Sequence, residues 1–216
     1  MSETSTLLTH EHFRYLAERT TREDAFLSDL KKAATKAGIP SIWVAPEQAS
    51  FMQILLKLAK ANEVVEVGTL AGYSAIAMAR ALPVGGHVRT IELEAKHASF
   101  AEEWAAKSDV AAKVKVFRGA GAEVLKGFAN DSADAAFLDA DKGSYPIYLR
   151  ECLRIVRRGG LIMVDNAFAF GQLFDDKPSD REVAAVKAFN DVMAATKELH
   201  SVIVPLGDGL WVGVKQ

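Results

Sequence analysis

Acidic and amide side chains follow two apolar stretches in the second half of the chain. The segment AAFLDADKGSY supplies Asp139, Asp141 and Lys142, and the segment LIMVDNAF supplies Asp165 and Asn166. Carboxylate and amide oxygens are hard ligands that suit Mg²⁺ or a similar divalent cation, which keeps water or substrate oxygens in its remaining positions. No His or Cys accompanies them, which argues against zinc. A lysine beside such acids could act as a general base.

Each part of this cluster also has a purely structural alternative. Asp and Asn are common where a loop begins, so Asp165–Asn166 could simply start a turn. Asp139 and Asp141 could cap helices and pair with Lys142. A site is favoured because, if the two apolar stretches are neighbouring strands, the acids after them lie roughly one strand spacing, about 5 Å, apart.

A glycine-containing turn precedes this cluster. The segment EVVEVGTLAGYSAIAMARAL places Glu66 near the end of an apolar run, followed by Gly68, Gly72 and a helical pattern from Tyr73. Glycines permit a tight turn and the close approach of a ligand to the backbone. The N–H groups at the start of a helix favour an anionic or polar group. The spacing E-x-G-x-x-x-G differs from the G-x-G-x-x-G of dinucleotide-binding proteins, and the glycines could also serve packing alone.

Two further segments point to a ligand that contains a nucleoside. Glu92 follows the next apolar run, where a carboxylate can accept hydrogen bonds from both hydroxyls of a ribose. The run after that ends in Gly119–Ala122, whose small residues leave space for a flat base. The alternatives are a solvated acid, with Glu94 as a competitor for the role, and a Gly-rich turn without a ligand. These features do not choose between a dinucleotide and S-adenosylmethionine.

These side chains need a scaffold that gathers the ends of several strands. Short apolar runs alternate with helical patterns, which predicts a doubly wound α/β fold with a parallel sheet covered on both faces. The predicted strands are Val64–Val67, Val88–Ile91, Val114–Phe117, Ala135–Leu138 and Leu161–Val164, and the predicted helices are 73–81, 95–107, 121–128, 145–157 and about 180–195. Ligands of such sheets bind beyond the carboxyl ends of the strands, where all the candidate residues lie.

The two ends of the chain depart from this alternation. Residues 1–40 are predicted to form an N-terminal helical cap, with Thr21 capping its second helix. A third helix is predicted to start at Pro46. Its residues at core spacing are Phe51, Ile54, Leu55 and Leu58. The last runs, Leu199–Pro205 and Gly209–Val214, are joined by Gly207–Asp208–Gly209 and predict an antiparallel hairpin. We expect a single domain over residues 1–216, with an α/β core over 41–216.

The composition excludes several classes of protein. The 216 residues are 50% hydrophobic and 25% charged, with a net charge of −2, which is typical of a globular domain. A general nucleic-acid-binding protein would be strongly basic. Cys152 is the single cysteine, which excludes an internal disulfide and a Cys-based zinc cluster. No signal peptide and no membrane span is recognisable, so a cytoplasmic protein without membrane contact is expected.

The chain resembles the cation-dependent O-methyltransferases of the catechol and caffeoyl-CoA type, which use S-adenosylmethionine. The resemblance covers about residues 40–216 and rests on VVEVGTLAGYSA, the acid of TIELE, FLDADKGSY, VDNAF and PLGDGLWVGVK. It implies a class-I methyltransferase (Rossmann-like) sheet that is mostly parallel, a small-molecule aromatic acceptor and a homodimer.

The resemblance also implies roles for individual residues. Those implied at S-adenosylmethionine are Val44, Glu66, Gly68, Thr69 and Ser74 at the methionine end, Glu92 at the ribose hydroxyls, Gly121 by the adenine, and Asp139 and Asp141 beside the cofactor. The ligands implied for a divalent cation (Mg²⁺, with Mn²⁺ and Ca²⁺ as alternatives) are Asp139, Asp165 and Asn166. Lys142 is implied as the catalytic base, with Asp139 as the second catalytic residue.

Departures from the family pattern bear on the acceptor. Gln48–Ala49–Ser50 stands where the family has E-G-Q, and the stretch AFAFGQLFDDKPSD is short, which favours a small catechol-like acceptor over a CoA ester. Trp43 and Phe168 are candidate walls for an aromatic ring, with core packing as the alternative for both. Three other functions stay open: methylation of a hydroxylated nucleoside in tRNA, NAD-dependent oxidoreduction, and non-catalytic binding. The net charge counts against the first and the missing third glycine against the second.

Overall fold

A computed structural model describes residues 8–175 and 180–216 of the chain. The strands in this part are β1 (Glu63–Val67), β2 (His87–Glu92), β3 (Val114–Arg118), β4 (Ala133–Leu138), β5 (Val156–Val164), β6 (Leu199–Val204) and β7 (Leu210–Lys215). They form one sheet in the order β3-β2-β1-β4-β5-β7-β6. The first five strands are mutually parallel, and β7 runs antiparallel to both β5 and β6. The predicted doubly wound sheet with an antiparallel C-terminal hairpin is therefore confirmed.

Helices cover both faces of the sheet. They are α1 (His10–Arg19), α2 (Ala25–Lys36), α3 (Pro46–Leu58), α4 (Tyr73–Ala81), α5 (Ala95–Lys107), α6 (Gly121–Val124), α7 (Tyr145–Ile155) and α8 (Arg181–Ala195). Successive side chains of a strand point to opposite faces. Accordingly, Val64 joins a core formed with α2, α3 and α4, whereas Val65 joins a second core formed with α7 and α8. No helix in the described ranges is long and apolar enough to span a membrane.

The structure corrects two boundaries of the predicted elements. Helix α7 ends at Ile155 and β5 begins at Val156, which pairs with Ala133 of β4. The strand is longer than predicted because Arg157, Arg158 and Gly159, which follow the buried Val156, are partly or fully exposed and lack the apolar signal. The cap of α2 is Asp24, whose carboxylate accepts a hydrogen bond from the Leu27 N–H at 2.9 Å. The prediction of Thr21 as that cap was therefore wrong.

Helix α3 begins at Pro46 as predicted, and of its predicted core residues Phe51 and Leu55 pack against the core. Its buried residues are Gln48, Ala49, Met52 and Leu56. The predicted core residues Ile54 and Leu58 are instead 52% and 76% exposed. The buried face of α3 includes the polar residue Gln48. A pattern of apolar residues could not predict this, because it assigns polar residues to the exposed face.

Candidate active site

A cleft of about 1270 Å³ opens at the carboxyl ends of the parallel strands. It is larger than the roughly 300–1,000 Å³ usual for the pocket of one small ligand, so it has room for two ligands side by side. The residues proposed from the sequence that line it are Val44, Gly68, Thr69, Ser74, Glu92, Gly121, Asp139, Asp141, Lys142, Asp165 and Asn166. The fold thus brings together eleven residues that are scattered along the chain.

Gly68 permits the close approach of β1 and β4 at the floor of the cleft. Its φ is +101°, and a Cβ at this position would lie 1.9 Å from the backbone oxygen of Asp139. The Asp139 N–H donates to the Val67 carbonyl at 2.9 Å, which continues the contact between the two strands beyond their ends. This glycine therefore fixes where the backbone of Asp139 lies.

Glu66 lies behind the cleft wall and is fully buried. The hydroxyls of Ser74 and Thr90 each donate a hydrogen bond of 2.5 Å to its carboxyl group. The pKa of Glu66 is raised to about 8, chiefly by burial and to a smaller extent by the negative charges of Asp139 and Glu92, against the opposing effect of the two hydrogen bonds. Glu66 therefore acts on the cleft through Ser74, whose hydroxyl it orients.

Glu92 is fixed at the end of β2 by backbone N–H groups. Leu70 N donates to one carboxylate oxygen at 2.7 Å, and Glu94 N donates to the other at 2.9 Å. The side chain is 9% exposed, so its remaining acceptor capacity faces the cleft. An acceptor pair held in this way can bind two neighbouring hydroxyls.

Gly121 is required by packing as well as by space in the cleft. A Cβ on this residue would lie 2.6 Å from Cγ1 of Val67 and 2.9 Å from Cε1 of Tyr148. Tyr148 donates a hydrogen bond from its hydroxyl to Asp141 at the edge of the cleft. Gly121 therefore allows Tyr148 to reach the position from which it holds Asp141.

Asp139 and Asp165 follow the paired ends of β4 and β5, since Leu138 and Val164 are partners in the sheet. Gln48 Nε2 donates to Asp165 Oδ1 at 2.7 Å. The pKa of Asp165 is raised to about 7, chiefly by burial and also by the negative charge of Asp139. The structure thus places two mutually repelling carboxyl groups side by side, one of them almost without contact with water.

Lys142 is a buried lysine next to this pair. Its Nζ lies 3.0 Å from Asp139 Oδ1 and donates to the Tyr145 hydroxyl at 2.8 Å. Burial raises the pKa of Tyr145 well above its usual value, so this hydroxyl stays neutral. The Lys142 Nζ also lies 6.0 Å from the centre of the Phe170 ring. The amine is therefore held at a fixed place beside an acid and an aromatic wall.

The aromatic wall itself differs in part from the prediction. Of the two candidates from the sequence, Trp43 lines the cleft and Phe168 does not, whereas Phe170, which is 47% exposed, does. Phe168 packs against the backbone at Gly209, where a Cβ would lie 2.9 Å from its ring. Phe168 is thus a packing residue. The sequence did not reveal the roles of Gln48, Thr90 and Asp208, because their partners lie 117, 24 and 42 residues away. Tyr145 was missed although it lies only three residues from Lys142, which it contacts.

Comparison with known proteins identifies the family. The sequence model of the family described as O-methyltransferase matches residues 17–216. A catechol O-methyltransferase from Niastella koreensis is 34% identical over 205 residues, which cover 94% of this chain and 90% of that protein. The structure of the O-methyltransferase from Bacillus cereus in complex with SAH is similar with a TM-score of 0.85 and 28% identity, over 94% of this chain and 96% of the other. The O-methyltransferase TomG from Streptomyces achromogenes, involved in tomaymycin synthesis and solved in complex with SAM, gives a TM-score of 0.83 and 29% identity over 94% and 95% of the two chains. The chain therefore belongs to the family of S-adenosylmethionine-dependent O-methyltransferases.

Proposed function

We propose that this protein transfers the methyl group of S-adenosylmethionine to one hydroxyl of a catechol-like acceptor, with the help of a divalent cation. The observation that carries the proposal is the meeting of Asp139, Asp165 and Lys142 in one cleft, beside a wall suited to a nucleoside. The relative named as a catechol O-methyltransferase supports the same class of acceptor.

The wall formed by the ends of β1 and β2 supports the assignment of the cofactor site. Glu92 would accept hydrogen bonds from the two ribose hydroxyls, since backbone N–H groups already fix both of its oxygens. Ser74, oriented by Glu66, would bind the methionine end together with Val44, Gly68 and Thr69. Gly121 would lie by the adenine, and Asp139 and Asp141 would border the cofactor on the acceptor side.

The donor set at β4 and β5 fits a divalent cation. Asp139 and Asp165 offer carboxylate oxygens, and the repulsion between them, together with the burial of Asp165, is relieved by a positive charge. The described ranges contain no cluster of three or more His, Cys, Asp or Glu side chains placed to hold a metal. The amide oxygen of Asn166, which lines the same cleft, would be the third protein ligand, as the family resemblance implies, and the hard donor set suits Mg²⁺, Mn²⁺ or Ca²⁺. When bound, such a cation lowers the pKa of a hydroxyl placed against it.

Lys142 is the residue assigned to take the proton from the acceptor hydroxyl. Its amine is held by Asp139 and Tyr145, so it does not need to reorganise during the reaction. Once the proton moves to Nζ, the hydroxyl oxygen bonds to the methyl carbon as the carbon–sulfur bond breaks. Trp43 and Phe170 would pack against the flat ring of the acceptor and orient it for this attack.

The assignment of Lys142 is tested by Lys142→Ala, with Lys126→Ala at an exposed surface lysine as the control. Loss of a general base typically costs about 10²–10⁴-fold in rate. We expect turnover of the K142A variant to fall by about 100-fold or more, with the affinity for S-adenosylmethionine, measured by calorimetry, unchanged. An equal loss of turnover and cofactor affinity would show that Lys142 is structural.

We also propose that the protein forms a homodimer. Two large apolar side chains one turn apart on α3 support this: Ile54 and Leu58 are 52% and 76% exposed. An exposed apolar patch of this kind is typical of a protein interface. Light scattering after size-exclusion chromatography should give the mass of two chains, and the mass of one chain at all concentrations would contradict the proposal.

A further inference from the structure

The turn that follows β5 has an unfavourable backbone conformation. Asn166, Ala169 and Phe170 have φ values of 64°, 53° and 57°, in the left-handed region that side chains with a Cβ rarely occupy. Such a conformation persists only where surrounding contacts hold it. The turn therefore depends on contacts from outside itself.

Asp208, in the turn between β6 and β7, makes these contacts. Its Oδ2 accepts a hydrogen bond from Asn166 Nδ2 at 3.1 Å and another from Phe170 N at 2.8 Å. Its backbone carbonyl accepts from Phe168 N at 2.8 Å. The adjacent Gly209 carbonyl accepts from Ala167 N at 2.9 Å. One residue from the hairpin thus holds the turn at its beginning, middle and end.

The side-chain contact also determines which way the Asn166 amide faces. A carboxylate offers only acceptors, so Asn166 must present its NH₂ group to Asp208. Because the amide is planar, its oxygen then points away from Asp208. Asn166 and Asp208 both line the cleft that contains Asp139 and Asp165. The same carboxylate oxygen that sets the amide also fixes the Phe170 backbone, and with it a ring near Lys142.

We propose that Asp208 is a positioning residue that aims the Asn166 oxygen at the cation site and holds Phe170 as the acceptor wall. This inference rests on the proposed function, because the oxygen is aimed at a cation. It assigns a role in ligand orientation to a residue of the Gly-Asp-Gly hairpin turn. Groups that orient metal ligands from outside the coordination shell commonly change metal affinity by about 10–100-fold when they are removed.

The test compares Asp208→Ala, Asp208→Asn and the control Asp29→Ala on the exposed side of α2. Binding of Mn²⁺ alone is measured from the loss of the electron paramagnetic resonance signal of the free ion. Hydrogen exchange of the Phe170 amide is measured in the absence of any cation, and binding of S-adenosylmethionine is measured by calorimetry.

For D208A we expect a Kd for Mn²⁺ at least about 10-fold higher than that of the wild type, faster exchange at Phe170, and unchanged binding of S-adenosylmethionine. D208N keeps an acceptor oxygen, so we expect its Kd for Mn²⁺ to lie between the Kd of D208A and that of the wild type. D29A should match the wild type in all three measurements.

The outcomes separate this inference from the function on which it rests. Wild-type protein that binds no Mn²⁺ would contradict the proposed cation site and the inference with it. Wild-type Mn²⁺ binding that is unchanged in D208A would contradict the inference alone. If D208A does not fold, D208N carries the test. Faster exchange at Phe170 in D208N together with a wild-type Kd for Mn²⁺ would also contradict the inference, because the affinity for the cation would then not depend on the conformation of the turn.

Discussion

Replacing Glu66 with Gln should remove a strong dependence of stability on pH. The pKa of Glu66 is raised by burial from 4.5 to about 8 in the folded protein. The folded state therefore binds this proton more tightly than the unfolded state does. The resulting contribution to the free energy of unfolding is complete below pH 4.5 and is lost as the pH rises towards 8.

The size of the effect follows from the shift. Each pKa unit corresponds to about 1.4 kcal/mol, so the whole contribution is about 5 kcal/mol. Between pH 6 and pH 8, where the group is only half ionised at the upper end, the wild type should lose about 2 kcal/mol through this group. Gln at this position cannot ionise, so the E66Q variant lacks this loss. The difference in stability between the variant and the wild type should therefore grow by about 2 kcal/mol in favour of the variant over the same interval.

Urea unfolding followed by tryptophan fluorescence at pH 6, 7 and 8 measures this difference without cofactor or cation. Glu103→Gln, at an exposed position of α5, is the matched control, and its stability should stay parallel to that of the wild type. The change in hydrogen bonding caused by Gln shifts the stability of E66Q equally at every pH and does not affect the slope. Parallel pH profiles for E66Q and the wild type would refute the reasoning, because they would show that Glu66 is ionised in the folded protein throughout.

Three further substitutions or reactions test other parts of the structure. Gly68→Ala should destabilise the protein by about 3 kcal/mol in thermal unfolding, because its Cβ would overlap the Asp139 carbonyl at a positive φ; unchanged stability would contradict the close approach of β1 and β4. Gln48→Leu should cost about 1–3 kcal/mol, since it leaves a buried oxygen of Asp165 without its donor, and a Tm equal to that of the wild type would contradict this contact. Cys152 is fully buried and burial raises the pKa of its thiol to about 12, so it should react with a thiol reagent only as the protein unfolds; rapid labelling of the folded protein would contradict its burial.

The sequence was sufficient to predict the sheet and the side of it that carries the site. Alternating apolar runs and helical patterns indicate parallel strands, and in parallel strands the residues after each carboxyl end meet at one edge. The alternation placed Asp139 and Asp165 at this edge, but only on the condition that their strands are neighbours, because periodicity does not give strand order; the pairing of β4 with β5 meets that condition.

The details of the acceptor side could not be predicted in the same way. Whether Phe168 or Phe170 faces the cleft depends on left-handed residues in the turn after β5. The turn is held by Asp208, which lies 42 residues from Asn166, the first residue that it contacts. Likewise, Gln48 reaches Asp165 across 117 residues. Periodicity reports which residues of one element share a face, and it carries no information about contacts between two irregular segments.

The most direct test of the proposed function is methyl transfer itself. The protein is incubated with S-adenosylmethionine, a caffeic-type catechol and Mg²⁺, and the products are analysed by mass spectrometry beside a reaction that contains excess chelator. We expect a singly methylated catechol that disappears with the chelator and returns when Mg²⁺ is restored. Methylation that is insensitive to the chelator would contradict the role of the cation, and a protein that binds S-adenosylmethionine but leaves the catechol unmodified would contradict the proposed acceptor.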